Sequence, residues 1–88
     1  MKIVINKCWG GFGVSEEFIE ELGLEDRWSI ERDDPRLIAR IEAGENVNGP
    51  CSELVVVNIP DEATDWEIDD YDGMESIIYV VNGKLCHL

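Results

Sequence analysis

Two periodicities alternate along the chain. Ile3, Val4 and Ile5 form an apolar, β-branched run that reads as a first strand over Lys2–Asn6. Cys8-Trp9-Gly10-Gly11-Phe12-Gly13 follows as a glycine-rich turn. Phe18, Ile19 and Leu22 then recur at helical spacing. Ser15 is placed to cap that helix, with Glu16 and Glu17 complementing its first turn and Gly23 ending it. Val14 can close on Ile19 as a hydrophobic staple. After an irregular, charged connection carrying Trp28 and Ile30, a second helix starts at Asp33 or Asp34 with Pro35 in its first turn. Leu37, Ile38 and Ile41 form its apolar stripe, and Gly44 stops it.

The second half switches to strand patterns. Leu54-Val55-Val56-Val57-Asn58-Ile59 is apolar at consecutive positions, which predicts a central strand, ended by Pro60. Trp66 to Asp69 predicts a short strand with Trp66 and Ile68 facing one way, and Asp72-Gly73 a turn. Ser76 to Val81 is a further strand, and Asn82-Gly83 predicts a two-residue hairpin into Lys84–Leu88. The order is β-α-α-β-β-β-β. The expected fold is α+β: a small mixed, mostly antiparallel sheet of four to five strands packed with two helices.

Eighty-eight residues make one domain, 1–88, with a core small enough that self-association could add to its stability. Charge changes the picture more than size does. Twenty acidic residues against seven basic ones give a net charge of -13. Such a surface repels nucleic acid and anionic membranes and attracts basic protein surfaces, including sites that hold DNA or RNA. No run approaches the roughly 20 apolar residues of a membrane helix. The three separated cysteines, Cys8, Cys51 and Cys86, read as buried inert thiols in a reducing compartment, so a cytoplasmic location is expected.

Catalytic and metal motifs fail on spacing. Gly11-Phe12-Gly13 opens a G-x-G-x-x-G pattern, but Glu16 stands where its last glycine belongs. A phosphatase-like loop from Cys8 would need arginine where Val14 stands, and the single histidine, His87, lies at the opposite end of the chain. Residues 61–75 carry eight carboxylates and no basic residue. Counting a calcium loop from Gly73 puts Ile68 and Tyr79 at ligand posts, which excludes an EF-hand. No metal, cofactor or catalytic residue is expected.

Two binding readings remain. In the first, Trp9, Phe12 and Trp66 are apolar anchors beside Asp69, Asp70 and Asp72 on an acidic face that docks a basic protein. In the second, Gly10, Gly11 and Gly13 join Arg36 and Arg40 to hold a small ligand such as a nucleotide. Arg32, Arg36 and Arg40 recur every fourth residue, and pairing with neighbouring acids competes with that ligand role.

Several segments together resemble a family of small proteins of phages, prophages and some bacteria. They are Lys7-Cys8-Trp9-Gly10-Gly11-Phe12-Gly13-Val14-Ser15, Arg32-Asp33-Asp34-Pro35-Arg36-Leu37, Asn48-Gly49, Leu54 to Pro60 and Trp66 to Gly73. The likeness runs to about Ile77, and the tail from Tyr79 to Leu88 departs from it. The resemblance implies a phage-infected or bacterial cytoplasm and a partner among host defence proteins. The expectation from sequence is therefore a non-enzymatic acidic binding module that takes a basic protein partner and neither nucleic acid nor membrane.

Overall fold

A computed structural model describes residues 1–88. The elements run β1 (Lys2–Asn6), α1 (Glu16–Leu22), α2 (Pro35–Glu42), β2 (Leu54–Asn58), β3 (Asp65–Tyr71), β4 (Met74–Val81) and β5 (Lys84–His87). The fold is α+β in the expected order. Local chemistry sets the helix ends. Ser15 accepts the Phe18 amide at 3.2 Å, and Gly23 closes α1 in the left-handed region at φ 66°. Asp34 caps α2 through the Arg36 amide, with Pro35 beginning the helix and Gly44 just past its end. The hairpin dipeptides behave as their sequences dictate: Asp72-Gly73 and Asn82-Gly83 both take positive φ, which a two-residue turn with native twist requires.

The strands divide into two antiparallel sheets, β1-β2 and β3-β4-β5, where a single sheet was expected. The reason lies at the free edge of β1. Its Val4 amide donates to the Arg32 carbonyl at 2.7 Å, and its Asn6 amide to the Glu75 carboxylate at 2.8 Å. The Arg32 guanidinium donates back to the Val4 carbonyl at 3.3 Å. An arginine and a glutamate thus occupy the place a neighbouring strand would take, satisfying main-chain groups that burial would otherwise leave unpaired.

β2 is accordingly an edge strand, a correction to its expected central place. It pairs only with β1, from Lys2↔Asn58 to Asn6↔Leu54. Its apolar run reflects two covered faces. Leu54 and Val56 pack on the helix-side core with Phe18, Leu37 and Val47, while Val55 and Val57 pack on the cluster of Ile3, Ile5, Ile59 and Ile77. Ile77 belongs to β4, so this second cluster joins the two sheets. The three-stranded sheet extends the molecule to 41 × 26 × 23 Å. No helix is long and apolar enough to cross a membrane.

Candidate functional site: an uncovered acidic sheet face

The register of β3-β4-β5 sorts its side chains onto two faces. Asp65↔Val80, Glu67↔Ile78, Asp69↔Ser76 and Tyr71↔Met74 are partners across β3 and β4, and Val80↔Leu85 and Ile78↔His87 across β4 and β5. Partners in an antiparallel ladder share a face. The alternate set, Trp66, Ile68, Ile77 and Tyr79, packs on the isoleucine cluster. The first set therefore forms an outer face, and no other element covers it.

That face has an ordered chemistry. Along β3 runs a column of carboxylates, Asp65, Glu67 and Asp69, none of which forms an ion pair. Beside it Ile78 and Val80 stand half-buried, with Leu85 exposed to 66%. A shallow depression of about 150 Å³ is lined by Asp65, Trp66, Glu67, Ile78, Val80 and Leu85. At the hairpin tip Tyr71 continues the face and meets Trp9 edge-on, with ring centroids 6.0 Å apart and planes at 67°. Both rings are exposed, Trp9 to 57% and Tyr71 to 75%. Large aromatic and aliphatic side chains left in water beside like charges are the composition of an interface core and its rim.

No ion pair neutralises the column: five of the seven basic side chains are paired elsewhere, and Lys7 and Lys84 form no ion pair. Lys2 pairs with Glu42, Arg27 with Glu16, Arg36 with Asp34, and Arg40 with Glu21 and Glu45. The Arg36 guanidinium holds the Asp34 carboxyl below the usual carboxylate range, and hydrogen bonds from Trp28 and Ser29 lower that of Asp26. Arg32 makes the one buried pair, to Glu75, at 2.6 and 2.8 Å. Its guanidinium lies 3.6 Å from the centre of the Phe12 ring.

These placements revise the anchor set expected from sequence. Trp9 is exposed at the tip of the face. Phe12 is a core residue beneath Arg32, 9% exposed, because the glycine-rich turn folds it inward. Trp66 is half-buried on the inner face of β3. Asp69 lies in the outer column. Asp70 is on the alternate set and accepts the Gly73 amide at 2.8 Å, and Asp72 sits in the turn itself. Asp65 and Glu67 belong to the acidic 61–75 face that was expected to dock, but Tyr71, Ile78, Val80 and Leu85 were missed. Two signals could have found them: the period-two alternation of 65–71, and the hairpin register that Asn82-Gly83 imposes on Val80 and Leu85.

The glycine-rich turn is packing machinery. A Cβ on Gly10 would overlap Cys51, and one on Gly49 would lie 3.0 Å from the Gly13 carbonyl oxygen. Gly73, at φ 89°, would overlap the Trp9 carbonyl and approach the Gly11 nitrogen to 2.5 Å. Gly73→Ala should therefore cost well beyond the about 1–2 kcal/mol of left-handed strain alone. Gly83→Ala is the control, since φ is 76° there and no atom lies within 4 Å. Urea midpoints of the two variants separate the clash from the strain.

A groove of about 190 Å³ does open beside Gly10, Gly11 and Gly13, but its cation is Arg27. Arg36 and Arg40 do not line it; they are held by Asp34 and by Glu21 and Glu45, so the structure does not bring the expected ligand set together. The start of α1 is ringed by Glu16, Glu17 and Glu20, which repel an anion. The thiols are not the buried set expected: Cys51 is exposed, and Cys8 and Cys86 are half-buried. Cys8 is tied through its main chain to Asn6, and His87 stands on β5 opposite Ile78. No group of three or more His, Cys, Asp or Glu side chains is arranged to hold a metal ion.

Fold and site together define an α+β domain with a helix-backed two-stranded sheet and a projecting three-stranded sheet whose acidic-apolar face is open. No protein-family model, curated protein or solved structure matches the chain.

Proposed function

We propose that this chain is a non-enzymatic binding module that docks on a basic protein surface through the outer face of β3-β4-β5. One observation carries the reading: the unpaired column Asp65, Glu67 and Asp69 runs beside the uncovered apolar residues Ile78, Val80 and Leu85. A solvated acidic strand has no need of exposed leucine and paired aromatics on the same face. An interface needs both, apolar anchors for affinity and charge for orientation and encounter rate. The resemblance to small phage and prophage proteins supports a partner among bacterial host defence proteins, met in the cytoplasm. A site that normally holds nucleic acid has the complementary charge.

The test is recovery of the partner by tagged protein from infected bacterial cells across a salt series. Binding should weaken steeply between low and high ionic strength as the charges are screened. Leu85→Asp should abolish recovery, and Asp65→Asn with Glu67→Gln and Asp69→Asn should reduce it at low salt. Recovery indifferent to both variants would place the contact elsewhere.

A further inference from the structure

The docking reading leaves open how the partner meets the sheet, and the edge of β3 bears on that. Asp72-Gly73 is a two-residue turn, so its flanking pair, Tyr71 and Met74, is a hydrogen-bonded pair of the ladder. By alternation, Asp65, Glu67, Asp69 and Tyr71 turn their main-chain groups toward β4. Trp66, Ile68 and Asp70 turn theirs to the opposite edge, which no strand occupies. No main-chain hydrogen bond from outside the sheet reaches these three residues. The Trp66 amide is taken by the side chain of its own neighbour, Asp65, at 2.9 Å. Ile68 and Asp70 are left with open donors and acceptors.

Open edges are normally blunted by shortness, proline, bulges or lysine. β3 is seven residues long and carries no proline, and its pairing with β4 is continuous from Asp65 to Tyr71. Its protection is charge of one sign. A second copy of β3 laid alongside would set carboxylates against carboxylates, which disfavours self-pairing. The same column favours a cationic strand.

We propose that the outer edge of β3 takes an extended, basic segment of the protein partner as an added strand, a mode that rests on the docking reading above. The register specifies the segment. Residues opposite Ile68 and Asp70 exchange main-chain hydrogen bonds with them, and the residue opposite Trp66 donates to its carbonyl; all three point to the inner face, where apolar side chains meet Trp66 and Ile68. The intervening residues fall opposite Asp65, Glu67 and Asp69 in the non-hydrogen-bonded positions, where side chains approach most closely. Lysine or arginine belongs there. The recognised segment alternates basic and apolar residues.

A seven-residue peptide alternating lysine and valine, with lysine at both ends, is the probe. Binding is followed by amide NMR shifts and hydrogen exchange of the full chain at low salt. The expected result is slowed exchange at the Ile68 and Asp70 amides. N-methylation of the valine amides, which face β3, should weaken binding at least about tenfold. N-methylation of the lysine amides, which face away, should leave it unchanged. The combined Asp65→Asn, Glu67→Gln and Asp69→Asn variant should also lose affinity. Equal binding of both methylated peptides, with shifts confined to Ile78, Val80 and Leu85, overturns strand addition while the docking face stands. Absence of peptide binding while the partner is still recovered through Leu85 also overturns it, and assigns the edge charges to protection against aggregation alone. Loss of the Leu85 and charge dependence in partner recovery is the separate result that removes the docking reading itself.

Discussion

Arg32→Ala should destabilise the protein by about 3–5 kcal/mol, because it strands the Glu75 carboxylate in a buried site. Glu75 is 4% exposed and Arg32 its only ion-pair partner. The same substitution removes the cation stacked on Phe12 and a donor to the Val4 carbonyl. Total stability for a chain of this length is about 4–13 kcal/mol, so the loss is a large fraction of it. Urea denaturation followed by circular dichroism measures the loss. Removing both charges, as Arg32→Met with Glu75→Leu, should recover part of it, since no lone charge remains buried. Recovery should be incomplete, because replacing Glu75 takes away the acceptor of the Asn6 amide, which the single variant keeps. A single variant that unfolds at the wild-type denaturant concentration would show that the pair is not structural.

Asn6→Leu should cost a similar amount by a different route. Its side chain accepts from the amides of Cys8 and Glu53, at 3.2 and 2.8 Å, and donates to the carbonyls of Cys8 and Gly73, at 2.6 and 2.7 Å. Leucine leaves these main-chain groups without partners, at about 1–3 kcal/mol for each that water cannot reach. The expected total is at least about 3 kcal/mol. The bond to Gly73 ties the β3-β4 hairpin tip to the end of β1, so the loss should also loosen the contact of Trp9 with Tyr71. Near-ultraviolet dichroism should therefore weaken in the folded variant, and the Cys8 and Glu53 amides should exchange faster. Asn6→Asp is the informative companion. It keeps the oxygen that accepts both amides, loses the donated bonds to the Cys8 and Gly73 carbonyls, and sets a carboxylate against them in a buried site, so it should be destabilised as well while the Cys8 and Glu53 amides stay protected.

The local devices were legible in the chain. Ser15, Asp34 with Pro35, and Gly23 fix helix ends through neighbours a few residues away, and Asp72-Gly73 and Asn82-Gly83 fix their turns in the same way. What escaped the sequence were the non-local relations. Leu54–Ile59 correctly signalled two buried faces, but apolar faces say nothing about whether a strand has neighbours along its edges. Glu75 looked like one more solvated acid in residues 61–75, since its partner lies 43 residues earlier. Asn6 looked like a polar strand end, and its four bonds reach as far as Gly73. Phe12 was a candidate anchor because it stands among glycines, yet those glycines let the turn fold tightly enough to bury it. For the site, Trp9 and Asp69 were anticipated and Leu85, Ile78 and Val80 were not. The alternation of residues 65–71 separates the two faces only once the inner one is known to be covered.

Hydrogen exchange of the chain with and without its recovered partner examines the binding face most directly. Slowed exchange should concentrate in β3, β4 and β5, with α1 and the groove beside Gly10 and Arg27 unchanged. Protection centred on that groove, with the three-stranded sheet exchanging as freely as before, would contradict a docking role for the acidic face.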